Sequence, residues 1–246
     1  MADKSRYSHR ILITGATDGI GFQLARAYAL NGHAVLATGR RAIGDDKSFF
    51  DVGNITYIMA DQIDPKQCTR AISKALEDLG WTSLDLAILN AATAWTGNPR
   101  DETAKVIDEQ ISVNLTSQIR LASVLAPLLF AQHGRLVMVG STATDKSHAS
   151  FATYSATKAG LDGFCRSLRE EWRGRAQVMI VHPGPTRTRM HQKAGLNLGF
   201  VHRFFMSPRK VARAIQTSIR RNNPRRSITP LYLFASRFSW AGKGRL

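Results

Sequence analysis

The chain has few of the residues that build metal centres or disulfide frameworks. Only two cysteines, Cys68 and Cys165, occur in 246 residues, and the seven histidines form no HxxxH or HExxH pair. Cysteines this sparse provide neither a zinc-binding spacing nor a disulfide network, and they fit a reducing compartment. We therefore expect no metal site and a cytoplasmic location.

Long apolar runs are also missing. No uninterrupted apolar stretch approaches the roughly 18 residues that can span a bilayer, so no membrane-spanning segment is expected. The segment 1–10 is a short polar leader that lacks the apolar core of a secretory signal. A length of 246 residues with 43% hydrophobic residues fits one large globular domain.

Acidic residues disappear from the last part of the chain. After Glu171 there are 16 Lys and Arg residues and no Asp or Glu, so the whole net charge of +16 lies towards the C-terminus. A basic region of this kind can contact nucleic acid or an anionic membrane, or it can attract an anionic cofactor or substrate.

Short apolar runs alternate with helix-length segments along most of the chain. The runs predicted as strands are 10–13, 34–38, 55–60, 84–89, 136–139, 178–181 and 227–229. Strands separated by helices form right-handed βαβ units with parallel neighbours. The sequence therefore predicts an α/β fold: one domain over 11–230 with a doubly wound, mostly parallel seven-stranded sheet and helices on both faces.

A glycine-rich turn follows the first predicted strand. In Thr14-Gly15-Ala16-Thr17-Asp18-Gly19-Ile20-Gly21 the glycines are spaced GxxxGxG, and a helix pattern begins there. Such glycines let the backbone turn tightly and approach a pyrophosphate, whose charge the helix N-terminus stabilises. The context predicts a dinucleotide site, although Asp18 places an acid near the phosphates. An ordinary strand-to-helix turn is the alternative.

Two arginines follow the second predicted strand. An NAD enzyme often carries an acid at this point to bind the adenosine ribose, and Arg40 and Arg41 stand there instead. Arginine binds a 2′-phosphate bidentately, whereas an acid would repel it. We therefore expect NADP(H) in preference to NAD(H), the alternative being that both arginines are solvated loop charges.

Tyr154 and Lys158 are four residues apart in a helix pattern. On a helix they share one face, roughly 5 to 6 Å apart, and a cation beside a phenol lowers the pKa of the phenol. Ser141 ends the apolar run 136–139, and ligands bind at the carboxyl ends of parallel strands. A hydroxyl there can hold a carbonyl oxygen while Tyr154 exchanges its proton. A YxxxK spacing also recurs in helices without any catalytic role.

Two helix patterns have alternative interpretations. Asn114 lies within a long apolar pattern over 103–132, where a buried amide needs partners and a surface or capped amide does not. Small residues in the Tyr154 helix allow another helix to pack closely, either within the monomer or from a second subunit. They are Ala156, Ala159, Gly160 and Gly163.

The C-terminal part is rich in aromatic and basic residues. The segment 187–206 is predicted to be a lid over an apolar substrate, the alternative being that its aromatic side chains pack on the core. The tail 231–246 has the pattern of a basic amphipathic helix, which either lies in a membrane interface or docks on the protein or a partner. Aromatic side chains and one histidine predict an apolar pocket: Trp95, His148, Phe151, Phe200, Phe204 and Phe205.

Taken together, the residues from 11 to 228 resemble the short-chain dehydrogenase/reductase family. The matching motifs are the glycine turn 14–21, Asp61, Asn90-Ala91-Ala92, Asn114, Ser141, Tyr154-Ser155-Ala156-Thr157-Lys158 and Pro183-Gly184. Each is weak alone, but their order and spacing together are specific. The resemblance implies a Rossmann-type domain and reversible hydride transfer between a nicotinamide and a carbonyl or secondary alcohol.

The resemblance implies a role for each matching residue in catalysis. Tyr154 is expected to be the acid/base, and Ser141 to polarise the substrate oxygen. Lys158 is expected to bind the ribose and to lower the pKa of the tyrosine. Asn114 is expected to support a water-linked proton relay.

The resemblance also implies contacts with the cofactor. Asp61 is expected to contact adenine, Asn90 to stabilise the central sheet, and Thr186 or Thr188 to touch the nicotinamide amide. The other expected cofactor contacts are Gly15, Thr17, Asp18, Gly19, Ile20, Arg40, Arg41, Gln62, Ala91, Tyr154, Lys158, Pro183 and Gly184.

Two departures from the family pattern stand out. Thr93 occupies the position after Asn-Ala-Ala where the family usually has glycine, and the basic tail lies outside the usual pattern. We expect a homodimer or homotetramer, a peripheral membrane contact only through the tail, and no nucleic acid partner. The alternative is a non-catalytic dinucleotide-binding scaffold whose basic region binds nucleic acid or an anionic membrane. The intact set of Ser, Tyr, Lys and Asn argues against it.

Overall fold

A computed structural model describes residues 9–42, 52, 54–144, 149–188 and 205–229. Within them the strands are β1 (Arg10–Ile13), β2 (Ala34–Gly39), β3 (Ile55–Met59), β4 (Leu86–Leu89), β5 (Arg135–Val139), β6 (Gln177–Pro183) and β7 (Arg225–Ile228). The α-helices are α1 (Gly19–Leu30), α2 (Pro65–Asp78), α3 (Ala104–Ile111), α4 (Ser117–Phe130), α5 (Ala152–Glu171) and α6 (Pro208–Arg220). Short 3₁₀ turns cover Pro99–Asp101 and Thr142–Thr144, and a π-helical turn covers Ser112–Thr116.

The seven strands form one sheet in the order β3-β2-β1-β4-β5-β6-β7. Every neighbouring pair is parallel, so the predicted sheet is confirmed and is parallel throughout. The chain winds outwards from β1 in one direction and from β4 in the other. This reversal opens a crevice at the carboxyl ends of the strands, which is where ligands bind in such sheets.

Helices cover both faces of the sheet, as predicted. Side chains alternate between the faces along β1, because Leu12 joins one core cluster while Ile11 and Ile13 join the other. Helices α2, α4 and α5 pack on the Leu12 side, and α1 and α6 pack on the opposite side. The sheet is therefore buried between two helical layers, which fits its nearly continuous apolar strands.

Helices α3 and α4 join through the π-helical turn into one helical run, Ala104–Phe130. Contrary to the sequence expectation, this run is long and apolar enough to cross a membrane by length and composition alone, with a hydropathy of 1.3. Its Leu121, Leu125 and Leu129 side chains are completely buried in the core beside the sheet. Such burial is typical of a core helix, and it accounts for the apolar character of this run.

The small residues of α5 allow close packing within the monomer at one position. A Cβ at Gly160 would lie 3.3 Å from a methyl group of Leu115, so α5 packs closely on the π-helical turn. A Cβ at Gly163 would meet only the end of the Arg166 side chain, at 3.9 Å. The intramolecular interpretation therefore explains Gly160, and the predicted self-association stays a prediction.

The surface of α6 is basic. Arg209, Lys210, Arg213 and Arg220 are exposed along one side of this helix. The predicted tail 231–246 and most of the predicted lid lie outside the described residues, as do His148, Phe200 and Phe204. The predicted membrane contact of the tail stays a prediction.

Candidate active site

A cleft of about 480 Å³ lies at the carboxyl ends of the strands. Every residue predicted to contact the cofactor lines it, from the glycine turn and the arginines after β2 to Thr188 beyond β6. Ser141, Tyr154 and Lys158 line the same cleft. Asn114 does not, because its side chain is completely buried behind the wall. The fold therefore brings the separate sequence motifs to one site.

The glycine turn approaches the end of β4 very closely. Gly15 has a φ of +64°, and a Cβ there would lie only 2.7 Å from the Cα of Ala91. A side chain at this position would separate the turn from β4. The Asp18 carboxylate accepts a hydrogen bond of 2.6 Å from the backbone N–H of Gly19 and caps α1. The acid noted as a neighbour of the phosphates therefore has a structural role at the helix N-terminus.

Asn90 ties β4 to β1. Its Nδ2 donates to the carbonyl oxygens of Thr14, at 3.1 Å, and Gly15, at 3.2 Å. In return, the Thr14 hydroxyl accepts from the backbone N–H groups of Asn90, at 3.0 Å, and Ala91, at 3.2 Å. These hydrogen bonds join the ends of β1 and β4, as expected of a residue that stabilises the central sheet.

The part of the cleft beside the end of β2 carries the two arginines. Arg40 and Arg41 are exposed, and the Tyr57 hydroxyl donates to the carbonyl oxygen of Arg41 at 2.6 Å. Gln62 also lines the cleft and is only 4% exposed, yet its Nε2 atom has no hydrogen-bond partner within the described part of the chain. The Gln62 Oε1 atom accepts from Gln118 at 2.8 Å, so only the amide nitrogen lacks a partner, and a bound base can supply the acceptor.

These features fit a nicotinamide dinucleotide. The glycine turn would hold the pyrophosphate, Asp61 and Gln62 would face adenine, and the arginines would meet a ribose phosphate. The side chain of Asp61 is held by a neighbouring backbone group, because its Oδ1 accepts from the N–H of Ile63 at 3.1 Å. Among the described residues, no group of three or more His, Cys, Asp or Glu side chains could hold a metal ion.

Tyr154 and Lys158 lie beside Ser141 as their spacing predicted. Tyr154 is 7% exposed, and its phenol faces the side chain of Ser141, which acts to lower the pKa of the phenol. Lys158 is 1% exposed, and its Nζ donates to the carbonyl oxygen of Val139 at 2.9 Å. The Nζ atom lies 5.9 Å from the centre of the tyrosine ring. A hydroxyl, a phenol and an ammonium group thus share one buried corner of the cleft.

The predicted lowering of the pKa of Tyr154 is wrong for this structure. Burial raises the pKa of the phenol, and the side chain of Ser141 only partly opposes that effect. Burial also lowers the pKa of Lys158 to about 8. The sequence argument counted the attraction between the phenolate and the ammonium group but left out the cost of removing both from water.

Asn114 holds the loop that follows β4. Its Oδ1 accepts from the N–H of Thr93, and its Nδ2 donates to the carbonyl oxygen of Thr93, both at 2.8 Å. The same Nδ2 lies 3.1 Å from the Thr157 hydroxyl of α5. The buried interpretation of Asn114 is therefore the one the structure shows. The threonine that departs from the family pattern is held by its backbone, which leaves its side chain at the cleft.

A second buried amide on the same helical run was not predicted. Gln110 is 1% exposed, its Oε1 accepts from the N–H of Trp95 at 3.3 Å, and its Nε2 donates to Glu102. The carboxylate of Glu102 in turn accepts from the Thr153 hydroxyl at 2.6 Å. Gln110 and Asn114 are four residues apart, so their shared helix face is the signal that would have identified this support.

Some of the aromatic side chains predicted to form the substrate pocket line the cleft. Phe151 and Phe205 line it, as predicted. Trp95 does not, because its ring packs where a side chain at Gly97 would lie. Thr186 and Met206 pair as an isolated parallel bridge, so the two ends of the predicted lid meet beside the cleft.

A doubly wound parallel sheet with a glycine turn after β1 and a Ser-Tyr-Lys corner beyond β5 defines the dinucleotide-dependent oxidoreductases of the α/β class. The chain belongs to the short-chain dehydrogenase/reductase family, because the family model described as short chain dehydrogenase matches residues 9–198. The resemblance inferred from the motifs is confirmed.

Curated relatives and a solved structure support the assignment. A hydroxysteroid 11-beta-dehydrogenase 1-like protein of Gallus gallus is 37% identical over 173 residues, which is 66% of this chain and 58% of that protein. An NADP-dependent 3-hydroxy acid dehydrogenase of Escherichia coli is 31% identical over 180 residues, or 71% of each chain. A short-chain dehydrogenase from Sphingobium yanoikuyae in complex with NADPH has a TM-score of 0.79 and 25% identity, with 97% of this chain and 96% of that chain covered.

Proposed function

We propose that the protein is an NADP(H)-dependent oxidoreductase that transfers a hydride between nicotinamide and a carbonyl or secondary alcohol, with Tyr154 as the acid/base. The observation that carries this proposal is that the Ser141 and Tyr154 side chains line one cleft together with buried Lys158. This corner lies in the same cleft as the glycine turn and the two arginines. The proposed proton donor and the residues proposed to bind the cofactor thus line one cleft.

The chemistry follows from the positions of these groups. When bound, the cofactor supplies the hydride. In the direction of reduction, the carbonyl carbon accepts the hydride, the C=O π bond breaks, and the oxygen takes a proton from Tyr154. Ser141 donates a hydrogen bond to the same oxygen and stabilises its developing charge. Because burial raises the pKa of Tyr154, the phenol keeps its proton at neutral pH and is ready to donate it. Lys158 then stabilises the phenolate that remains.

The cofactor assignment is supported by charge and by similarity. Arg40 and Arg41 line the cleft without an acid at the end of β2, which favours a ribose phosphate. The name of the Escherichia coli relative states NADP dependence, and the Sphingobium yanoikuyae structure contains NADPH. NADPH is therefore the cofactor that we expect the protein to prefer.

The substrate is proposed to be apolar around its reacting carbon. Phe151 and Phe205 supply apolar surface to the cleft beside Tyr154. The ring of Phe151 meets the Tyr154 ring edge-on, with centroids 6.0 Å apart. An apolar ketone or aldehyde would bury its carbon skeleton against these rings while its oxygen faces the serine and tyrosine hydroxyls.

A panel of aldehydes, ketones and secondary alcohols, assayed with NADPH and NADH by absorbance of the reduced cofactor, tests the proposal. Tyr154→Phe is expected to keep NADPH affinity but to lower turnover by on the order of 10²- to 10⁴-fold, because it removes only the proton donor. Tyr28→Phe, which changes a tyrosine in α1 away from the cleft, is the matched control. Near-normal turnover by Tyr154→Phe would rule out the assigned role.

The non-catalytic scaffold is the competing proposal, and its support is the basic surface of α6. It predicts salt-dependent retention on DNA or RNA together with no oxidation or reduction anywhere in the panel. The buried tyrosine and lysine beside half-buried Ser141 favour the enzyme, because a scaffold has no need to bury an ammonium group in its cofactor cleft.

A further inference from the structure

A chain of buried polar groups lies behind Ser141. His182, at the end of β6, is completely buried and is not among the residues that line the cleft. Its Nδ1 lies 3.1 Å from the carbonyl oxygen of Ser141, and its Nε2 lies 2.9 Å from Oδ1 of Asp162. The imidazole therefore connects the Ser141 loop to α5. None of the family motifs includes either His182 or Asp162.

Asp162 is held as an ionised acceptor. Its Oδ1 also accepts from Nε of Arg225 at 3.0 Å, and its Oδ2 lies 3.4 Å from Nε of Arg166. A carboxylate between two guanidinium groups has no proton to give to the imidazole. The contact between Asp162 and His182 therefore requires an N–H on the Nε2 atom of the histidine.

The other ring nitrogen also faces acceptors. The carbonyl oxygen of Ser141 can only accept, and the Thr144 hydroxyl donates its proton to that same carbonyl at 2.8 Å. The Thr144 oxygen lies 3.4 Å from Nδ1 of His182 and therefore faces it as a second acceptor. The imidazole ring therefore lies between a backbone carbonyl and a carboxylate and contacts both of them.

The network contacts the same face of α5 that carries Tyr154. Tyr154, Lys158 and Asp162 follow one another at intervals of four residues along α5, and such positions share a face. Gly140 makes the contact feasible, because a Cβ there would lie 2.7 Å from Nδ1 of His182. One end of the histidine thus fixes the backbone of Ser141, and the other end fixes the helix that presents Tyr154.

We propose that the His182–Asp162 pair is a positioning device that sets the Ser141 hydroxyl against the Tyr154 phenol. This inference rests on the proposed oxidoreductase function, because it assigns the pair a role in that reaction. His182 and Asp162 touch neither the cleft nor the reacting atoms, so they act through Ser141. Displacing a catalytic group by about 1 Å can cost on the order of 100-fold in rate, so support of this kind is worth measuring.

A double-mutant cycle tests the proposal. In the otherwise wild-type enzyme, His182→Asn is expected to lower kcat by on the order of 10- to 100-fold, because its shorter amide cannot bridge Ser141 and Asp162. Ser141→Ala removes the hydroxyl that the pair positions. In that background, the same His182→Asn change is expected to alter kcat by less than about two-fold, since coupled residues are not additive. Equal losses in both backgrounds would overturn the proposal, because general damage to the fold does not depend on the serine hydroxyl.

Two further variants guard against a misfolded protein. Asp162→Asn keeps the side-chain shape and removes the charge, and it is expected to lower kcat in the same direction without changing the dissociation constant for NADPH by more than about two-fold. His133→Asn is the matched control, because His133 is exposed and its φ of 49° suits asparagine. It is expected to leave kcat unchanged. A normal kcat in both His182→Asn and Asp162→Asn would contradict the positioning role.

A spectroscopic measurement separates failure of this inference from failure of the proposed function. Nitrogen NMR of histidine-labelled protein is expected to show a proton on the Nε2 atom of His182 in the wild type, and Asp162→Asn to change that signal. An Nε2 atom without a proton in the wild type would sink the inference even in an active enzyme. If no substrate is turned over while the Nε2 signal is present, the function fails and the positioning role falls with it, but the network stands.

Discussion

The two ends of the cleft use their charges in different ways. At the serine end, Tyr154 and Lys158 are 7% and 1% exposed, and Lys158 donates a hydrogen bond to Val139. At the other end, Arg40 and Arg41 are exposed. Burial makes a charge sensitive to every neighbour, whereas solvent screens an exposed one. We therefore expect the buried end to determine rate and stability, and the exposed end to determine which dinucleotide binds.

Of the substitutions at the two ends of the cleft, replacement of the buried lysine should have the largest effect. Lys158→Met removes the ammonium group beside Tyr154 and is expected to lower turnover by on the order of 100-fold or more, because the phenolate loses its stabilising charge. Initial rates at saturating NADPH and substrate measure the effect. Retention of normal turnover would show that the cation beside Tyr154 is not needed.

The same substitution should stabilise the protein, which a catalytic role alone would not predict. The pKa of Lys158 is lowered to about 8 by burial, so below pH 8 the folded state bears the full cost of a buried ammonium group. That cost, on the order of 3 kcal/mol at most, is absent from Lys158→Met. As pH rises from 8 towards the ordinary lysine pKa, the folded state releases the proton before the unfolded state does. The lysine's unfavourable contribution therefore fades, and the wild type gains stability relative to the variant.

Urea unfolding of both proteins at neutral pH and at about pH 10 measures this linkage. The expected result is a more stable variant at neutral pH and a smaller difference at the higher pH. A variant less stable than the wild type at neutral pH would mean that the hydrogen bond from Lys158 to Val139 outweighs the cost of burying the charge.

The exposed end is tested with the arginines. Arg40→Ala is expected to weaken NADPH binding by about 10-fold or more while changing NADH binding much less, because a lost hydrogen bond to a charged group costs about 1.5 to 3 kcal/mol. Dissociation constants from cofactor fluorescence provide the comparison, and Arg70→Ala, an exposed arginine in α2, is the control. Equal weakening for both cofactors would refute the phosphate assignment.

The smallest effect is expected where the sequence departs from its family. Thr93→Gly restores the usual glycine, but Asn114 already holds the backbone of Thr93 at both its N–H and its carbonyl oxygen. The change in kcat should therefore stay within about two-fold, with a loss of roughly 0.5 to 1 kcal/mol of unfolding free energy from the added backbone freedom. A large rise in activity would show that the threonine side chain obstructs the substrate.

The elements that were easiest to predict are those with continuous apolar patterns. Strands β1, β2 and β5 were located almost to the residue, because parallel strands buried on both faces are apolar throughout. The last strand was predicted to begin at 227 but begins at Arg225. Arg225 hides this start, because it is a charged residue at the sheet edge that pairs with Asp162. A strand whose charge is neutralised from another element has no apolar signature of its own.

The residues of the site divide in the same way, into those that local sequence patterns predict and those that they do not. The alignment of Ser141 with Tyr154 was predictable, because a strand end and a helix spacing are local properties. The partners of Asn114, Gln110 and His182 were not, since each contact joins residues whose separation in the chain carries no pattern. The direction of the pKa shift at Tyr154 was wrong for a related reason: burial is a property of the assembled core.

The amino-acid sequence by itself determined the order of strands and helices, the family, and the set of side chains available for chemistry, because these depend on periodicity and spacing along the chain. Only the tertiary structure decided which of those side chains lose contact with water and which buried groups support them. Desolvation and hydrogen bonding depend on neighbours from distant segments, and those neighbours are brought together only by folding.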